Sequence, residues 1–441
     1  MRPIVVLGGG AAGIAAACAL ADRGKRVLLL ESTPRLGGRA ASFRDRETGD
    51  EVDYGHHVLM RCCTEIRSLL SRLGQVDAVR FQHRLRVPLA GPDRCAVLRS
   101  RPLPGPLHLL PGLLSYRHLA RRERAAALRA GIALLGPRPA GEPTFGAWLR
   151  SRGQTRRCLD VLWNPICVAT LNAGADAVSA SAAFTVFQRG FLTAHGADLG
   201  LFTRPLSRVF AAVEPFLRAR GSEVRCRTAA ARILCEGDKA TGIVVSTGET
   251  LAASAVVVAL TPRDLLPLLP EPIRAAPPFS DLDAIRWSPI VNLHLWFDRS
   301  ILTEPFLLAV DSPIQAVFDV TRLHGRAGAT HVVVSQSAAT DWIDRPTVEI
   351  AERLRSALAR LLPAVTDARL LRQRVIKSRQ ATILCAPGSA ALRPAPRTPV
   401  RGLVLAGDWT ATGWPSTLEG AVRSGHASVA ALLESDPQRQ P

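Results

Sequence analysis

A short unbroken apolar run, Ile4–Leu7, opens the chain and is followed by a glycine-rich turn and a longer stretch of small apolar residues over 11–22. A second apolar run, 26–30, stops at Glu31. Short apolar runs bounded by turn residues predict buried strands, and the longer stretch between them predicts a helix, so the opening is a strand–helix–strand unit. Residues 216–260 predict a helix followed by several short strands and hairpins. Strands are expected over 290–297 and 331–335, with a helix over Thr347–Leu361. Residues 402–425 read as a buried strand, an acid, a loop and a helix starting near Thr417. The stretch 103–135 mixes Leu, Pro and Arg, and is either an amphipathic surface that docks on lipid or a helical hairpin packed on its neighbour.

Length and composition narrow the picture. At 441 residues the chain predicts two or three packed units able to enclose a large cofactor. No apolar run reaches the roughly 18 residues a membrane span needs. The net charge of +19 is carried almost wholly by arginine, since lysine occurs only at Lys25, Lys239 and Lys377. The arginines are scattered and no nucleic-acid motif is present, so the basic surface either faces an anionic membrane or reflects a general preference for arginine. Nine cysteines lack metal-ligand pair spacing, which fits reduced thiols, no metal site and a cytoplasmic protein, peripheral at most on the inner face of the plasma membrane.

Chemistry enters at the first turn. Gly8, Gly10 and Gly13 have G-x-G-x-x-G spacing where the strand passes into the helix, with Ala12 inside the motif. Gly8 is expected to permit the turn, Gly10 to let the backbone approach a pyrophosphate, and Gly13 to let the helix pack closely. The phosphates would lie at the helix N-terminus, where unpaired N–H groups favour an anion. Glu31, at the end of the second strand, is placed to accept hydrogen bonds from the adenosine ribose.

Residues 34–43, PRLGGRAASF, follow directly and resemble the second glycine motif of the flavin amine oxidase and phytoene desaturase superfamily. The resemblance implies a Rossmann-like α/β FAD-binding domain of glutathione-reductase type with a discontinuous α+β substrate domain. The cofactor domain would comprise 1–81, 202–286 and 380–441, and the substrate domain 82–201 and 287–379. Gly38 and Arg39 would meet the FAD pyrophosphate, where a planar guanidinium suits a phosphate. EVDYGHHVL, residues 51–59, resembles the strand running under the flavin ring, with Gly55 giving the ring room and His56 and His57 beside it as candidate acids. Gly407 and Asp408 would serve the ribityl and pyrophosphate region, the Thr417 and Leu418 amides the flavin, and the Ala230 backbone the adenine. Asn292 stands where several amine oxidases carry a lysine, which argues against amine oxidation. The phrases at 162–172, 288–298 and 407–425 resemble the hydroxysqualene dehydroxylase branch. That branch implies an apolar isoprenoid substrate, hydride from reduced flavin, and squalene-synthase-like enzymes upstream. A carotenoid desaturase, working in the opposite redox direction, and a non-catalytic FAD-binding scaffold remain open.

Overall fold

Five parallel strands lie side by side in the order Glu223–Arg225, Val27–Leu30, Ile4–Leu7, Ala255–Val258, Leu403–Leu405, in a computed structural model that describes residues 2–47 and 49–434. The central strands are buried at every position because both faces of the sheet are covered. Side chains alternate between the faces. Val6, Leu29, Val257 and Val404 meet the helices Ala11–Ala21 and Leu418–Glu434. Val5, Leu7, Leu28, Val256 and Leu405 meet Ile233, Ala240 and Ile243 of a three-stranded antiparallel sheet. The two helices cross where Gly425 lies on the Ala12 carbonyl, and a Cβ there would stand 2.3 Å from that oxygen.

The second sheet has seven strands, in the order Leu370–Ile383, Trp287–Phe297, Thr330–Gln336, Ala316–Asp319, Phe306–Ala309, Arg86–Ala90, Cys95–Arg99. Its two faces differ sharply. Val291, Leu293, Leu295, Val332 and Val334 pack with Ile350, Leu354 and Leu358 of the Thr347–Leu361 helix. On the opposite face Asn292 and His294 look toward the Tyr54–His56 loop, whose Tyr54 carbonyl accepts a hydrogen bond from Asn292 Nδ2 at 3.1 Å. Asp45, fully buried, ties the end of the Ser42–Arg44 strand to the Leu370–Ile383 strand by accepting from Arg372 at 2.6 and 2.8 Å and from Arg374 at 2.6 Å.

Several expectations are corrected. The opening helix ends at Ala21, with Asp22 as its C-cap. The supposed boundary at 201/202 falls inside the Leu199–Phe202 strand, which pairs with Val58–Met60 and Val79–Phe81. The boundary at 379/380 falls inside Leu370–Ile383. Residues 51–59 do not form one strand: Glu51–Asp53 pairs with Ser42–Arg44, the chain bends at Tyr54 and Gly55, and Val58–Met60 joins another sheet. Within 103–135 the helix Arg121–Ala133 buries Ala126, Ala127 and Ala130, while Leu103, Leu107, Leu114, Ile132 and Leu135 remain exposed. Among the described residues, no helix is long and apolar enough to cross a membrane.

Candidate cofactor and active site

The glycine turn is shaped by steric necessity. Gly8 has φ +100°, and a Cβ on Gly13 would stand 1.9 Å from the Gly8 carbonyl oxygen, so only glycine lets the helix rest on its own turn. Gly10 and Gly38 lie against each other where the two glycine segments bridge: a Cβ on Gly38 would come within 3.0 Å of Gly10 Cα, while one on Gly10 would meet nothing nearer than 4.0 Å. The Ala11–Ala21 helix begins with no side-chain cap and no acid in its first turn. Its first amides are therefore available to an anion. Glu31 is buried, and its carboxylate accepts from the Gly9 amide at 2.8 Å and the Thr33 amide at 2.7 Å. The Glu31 carbonyl accepts from Thr228 N at 2.9 Å, which brings the start of the Ala230–Glu236 strand alongside the same strand end.

Arg39 joins the two ends of the chain. Its guanidinium donates to Asp408, to the Ala381 carbonyl at 2.9 Å, and lies 5.5 Å from the Trp287 ring centre. Asp408 is buried and also accepts from the Ser416 hydroxyl. Burial works to raise its pKa, but Arg39, Ser416 and Arg393 together prevail and hold the carboxyl below its ordinary value. The loop carrying the acid is pinned by Gly407 N donating to Ser424 Oγ at 2.8 Å and by Trp409 Nε1 donating to the Leu260 carbonyl at 2.9 Å. Beyond it, Thr417 caps the last helix, its hydroxyl accepting from Gly420 N at 3.2 Å, and Leu418 opens the helix proper. Glu419 points away to a different helix start, accepting from Glu65 N and Ile66 N at 3.1 and 2.9 Å.

Gly55 packs against Asn292, where a Cβ would lie 3.0 Å from Nδ2. The structure separates the two histidines that the sequence set side by side. The His57 Nδ1 lies 2.9 Å from the Gly55 carbonyl. Burial, opposed by that carbonyl and helped by the Arg39 charge, lowers its pKa. His56 turns the other way, its ring 4.4 Å from Phe318, into a cluster with His294, His324 and His331. Sequence inspection passed over His294, His331, Ser416 and Ser424. The first had a signal: residues two apart on a strand share a face, so placing Asn292 at the site also placed His294 there.

The model of the flavin containing amine oxidoreductase family matches residues 11–433. The chain belongs to that family. This flavin amine oxidoreductase is 26% identical to 15-cis-phytoene desaturase, chloroplastic/chromoplastic, of Glycine max, over 98% of its own length and 79% of that protein. It is 24% identical to 15-cis-phytoene desaturase of Synechococcus elongatus, over 99% and 97%. Its fold matches the crystal structure of an oxidoreductase from Methanosarcina mazei with a TM-score of 0.77 and 19% identity, covering 98% and 100% of the two chains. The protein is an FAD-dependent oxidoreductase. Its residues fit the cofactor: an uncapped helix start and an open lane at Gly10 suit a pyrophosphate, and the Asn292 Oδ1, buried without a partner beside Gly55, suits a polar ring edge.

Proposed function

We propose that this oxidoreductase removes hydride from a long apolar isoprenoid chain, introducing a double bond. The observation that carries the proposal is the near full-length likeness to desaturases of such chains. Asn292 in place of a lysine on the strand facing Gly55 is consistent with it, because an amide neither titrates nor activates water as an amine does. Desaturation takes a hydride from one carbon and a proton from its neighbour, the second C–H pair becoming the π bond. Bound FAD supplies the hydride acceptor.

The chain's own residues bind and orient. The amides at Gly10, Ala12 and Gly13 would hold pyrophosphate, Glu31 the ribose hydroxyls, and Ala230 the adenine. Gly38, Arg39, Gly407 and Asp408 would serve the second phosphate and the ribityl chain, the Thr417 and Leu418 amides one flavin edge, and Gly55 with Asn292 the ring. His57, on the Arg39 side, is the candidate to take the proton, in preference to His56. The exposed leucines of 103–135, set among arginines, would rest on an anionic bilayer that holds the apolar substrate.

Reductive dehydroxylation of hydroxysqualene, supplied by squalene-synthase-like enzymes, is the second reading. It is favoured by the phrases at 162–172 and 288–298, which meet where Asn172 Nδ2 donates to the Ser288 carbonyl at 3.0 Å and Ser288 Oγ to the Asn172 carbonyl at 2.6 Å. Anaerobic incubation decides between them. Oxidised enzyme given 15-cis-phytoene should lose its flavin colour in step with a desaturated product. If only the reduced enzyme reacts, oxidised by hydroxysqualene with release of squalene, the second reading replaces the first.

A further inference from the structure

Beside the Gly55–Asn292 contact lies a polar centre with no part in the cofactor contacts above. Four histidines converge there: His56 from the bend after Glu51–Asp53, His294 from Trp287–Phe297, His331 from Thr330–Gln336, and His324 just after Val320–Leu323. His294 and His331 stand diagonally on paired strands, with His294 opposite Val333 and His331 opposite Trp296. Their Nδ1 and Nε2 atoms are 3.0 Å apart. The rings are held by aromatic neighbours, His331 stacked 4.4 Å from Trp296 at 4° and His56 against Phe318.

The nitrogens are less well served. His56 Nε2, His294 Nε2 and both ring nitrogens of His324 are buried without a protein partner. Buried polar atoms are nearly always hydrogen-bonded, and several orphans in one place call for a common explanation. These rings, with Glu51, Asp53, Val320 and Val333, line a cavity of about 10 Å³. That is close to the volume one water requires, and the site offers it the several polar partners it needs.

We infer that this cavity is a built water site, and that its water, held in place by His294 Nε2, links His324 and His56 into a path carrying protons between the Glu51–Asp53 rim and the flavin face at Gly55. The inference rests on the flavin ring lying over Gly55, as proposed above. A neutral imidazole takes a proton on one nitrogen and releases another from the second. One proton enters as one leaves, and the rings end in the opposite tautomers with no net change in charge. The surroundings favour this neutral mode. Burial, with the charges of neighbouring histidines and of Arg374, lowers His56 and His294 to about 3; burial with Arg326 and Arg208 lowers His324 to about 4, and His331 is lowered in the same way. At the rim, Asp53 accepts from Leu206 N at 3.1 Å and burial raises its pKa to about 6, while Glu51 is paired with Arg208 and reaches solvent.

The test needs no substrate, so its outcome is independent of which isoprenoid reaction is correct. FAD-loaded enzyme is reduced by a laser flash with a deazaflavin photosensitiser and a sacrificial amine donor, and proton uptake is followed with a pH-indicator dye. His324→Phe and His294→Phe keep the ring volume and remove the nitrogens, and each should slow uptake by about 10²-fold with flavin absorbance unchanged. His324→Gln, which restores a donor and an acceptor, should recover part of the rate, and its solvent deuterium effect should exceed that of His324→Phe. His118→Phe, outside the cluster, should leave uptake unchanged. Wild-type uptake rates in both phenylalanine variants overturn the path. A holoenzyme crystal structure showing the cavity dry, or filled by a metal ion with anomalous scattering, overturns the water site itself.

Discussion

The glycine cradle and the histidine face of the seven-stranded sheet are both polar places in an apolar protein, but they are built in opposite ways. In the cradle, residues 8–13 and 31–39 are close in sequence, and the chemistry is offered by backbone amides that glycine leaves uncovered. In the histidine face the groups come from positions 56, 294, 324 and 331, and side chains carry the polarity. Backbone sites tolerate many neighbouring side chains as long as the glycines remain, whereas side-chain sites depend on strand register. A one-residue slip of Trp287–Phe297 would exchange Asn292 and His294 for Val291 and Leu293.

This contrast can be tested at descending cost. The seven-stranded sheet should suffer most where Asp45→Ala takes a carboxylate from Arg372, which keeps Glu47, and from half-exposed Arg374, destabilising by about 2–3 kcal/mol in denaturant melts. A loss under ~1 kcal/mol would mean that the sheet does not depend on this contact. Acid comes next. His56 and His294 have folded pKa values near 3 against the ordinary 6.5, so the unfolded chain binds protons first and stability falls as pH drops from 6.5 toward 3, by about 1.4 kcal/mol per unit for each. Asp53, raised to about 6 by burial, acts oppositely, losing stability as pH rises from 3.8 through 6. Two histidines outweigh one acid, so melting temperature should fall on acidification, and His294→Phe should flatten the slope. A melting temperature that rises on acidification would contradict the burial of those rings.

The cradle should respond through the cofactor. Arg39→Leu removes a charge-assisted contact and should weaken FAD retention by about 1.5–3 kcal/mol in flavin titrations, with Arg39→Lys restoring only part because the planar fork is lost. Full retention in Arg39→Leu would confine the arginine to its ion pair with Asp408. The smallest effect is expected at Thr417→Ala, about 1 kcal/mol of thermal stability from the missing helix cap, with Thr417→Ser close to wild type.

Legibility followed the same division. The strand Ile4–Leu7 and the helix Thr347–Leu361 stood in the sequence with their observed limits, because burial on two faces leaves an unbroken apolar run and burial on one a periodic pattern. Arg39 and Asp408 were each visible in their own motif, but not their ion pair, since nothing local specifies a partner 369 positions away. The orientation of His56 was hidden for a related reason: a bend at Tyr54 and Gly55 interrupts the alternation that would have assigned its face. Asp45 belongs to no motif in the sequence, and only the return of Leu370–Ile383 makes it a buried anchor.

The parallel sheet also sets an order on biosynthesis. Ile4–Leu7 and Val27–Leu30 leave the ribosome first, yet the neighbour strand Ala255–Val258 and the edge strand Leu403–Leu405 emerge far later. At about 5–20 residues per second, roughly 20–80 s separate the first glycine turn from the strand that completes the sheet. During that interval Ile4–Leu7 has an edge of unpaired backbone groups, and the complete FAD cradle waits for the Leu403–Leu405 strand and the Asp408 loop after it.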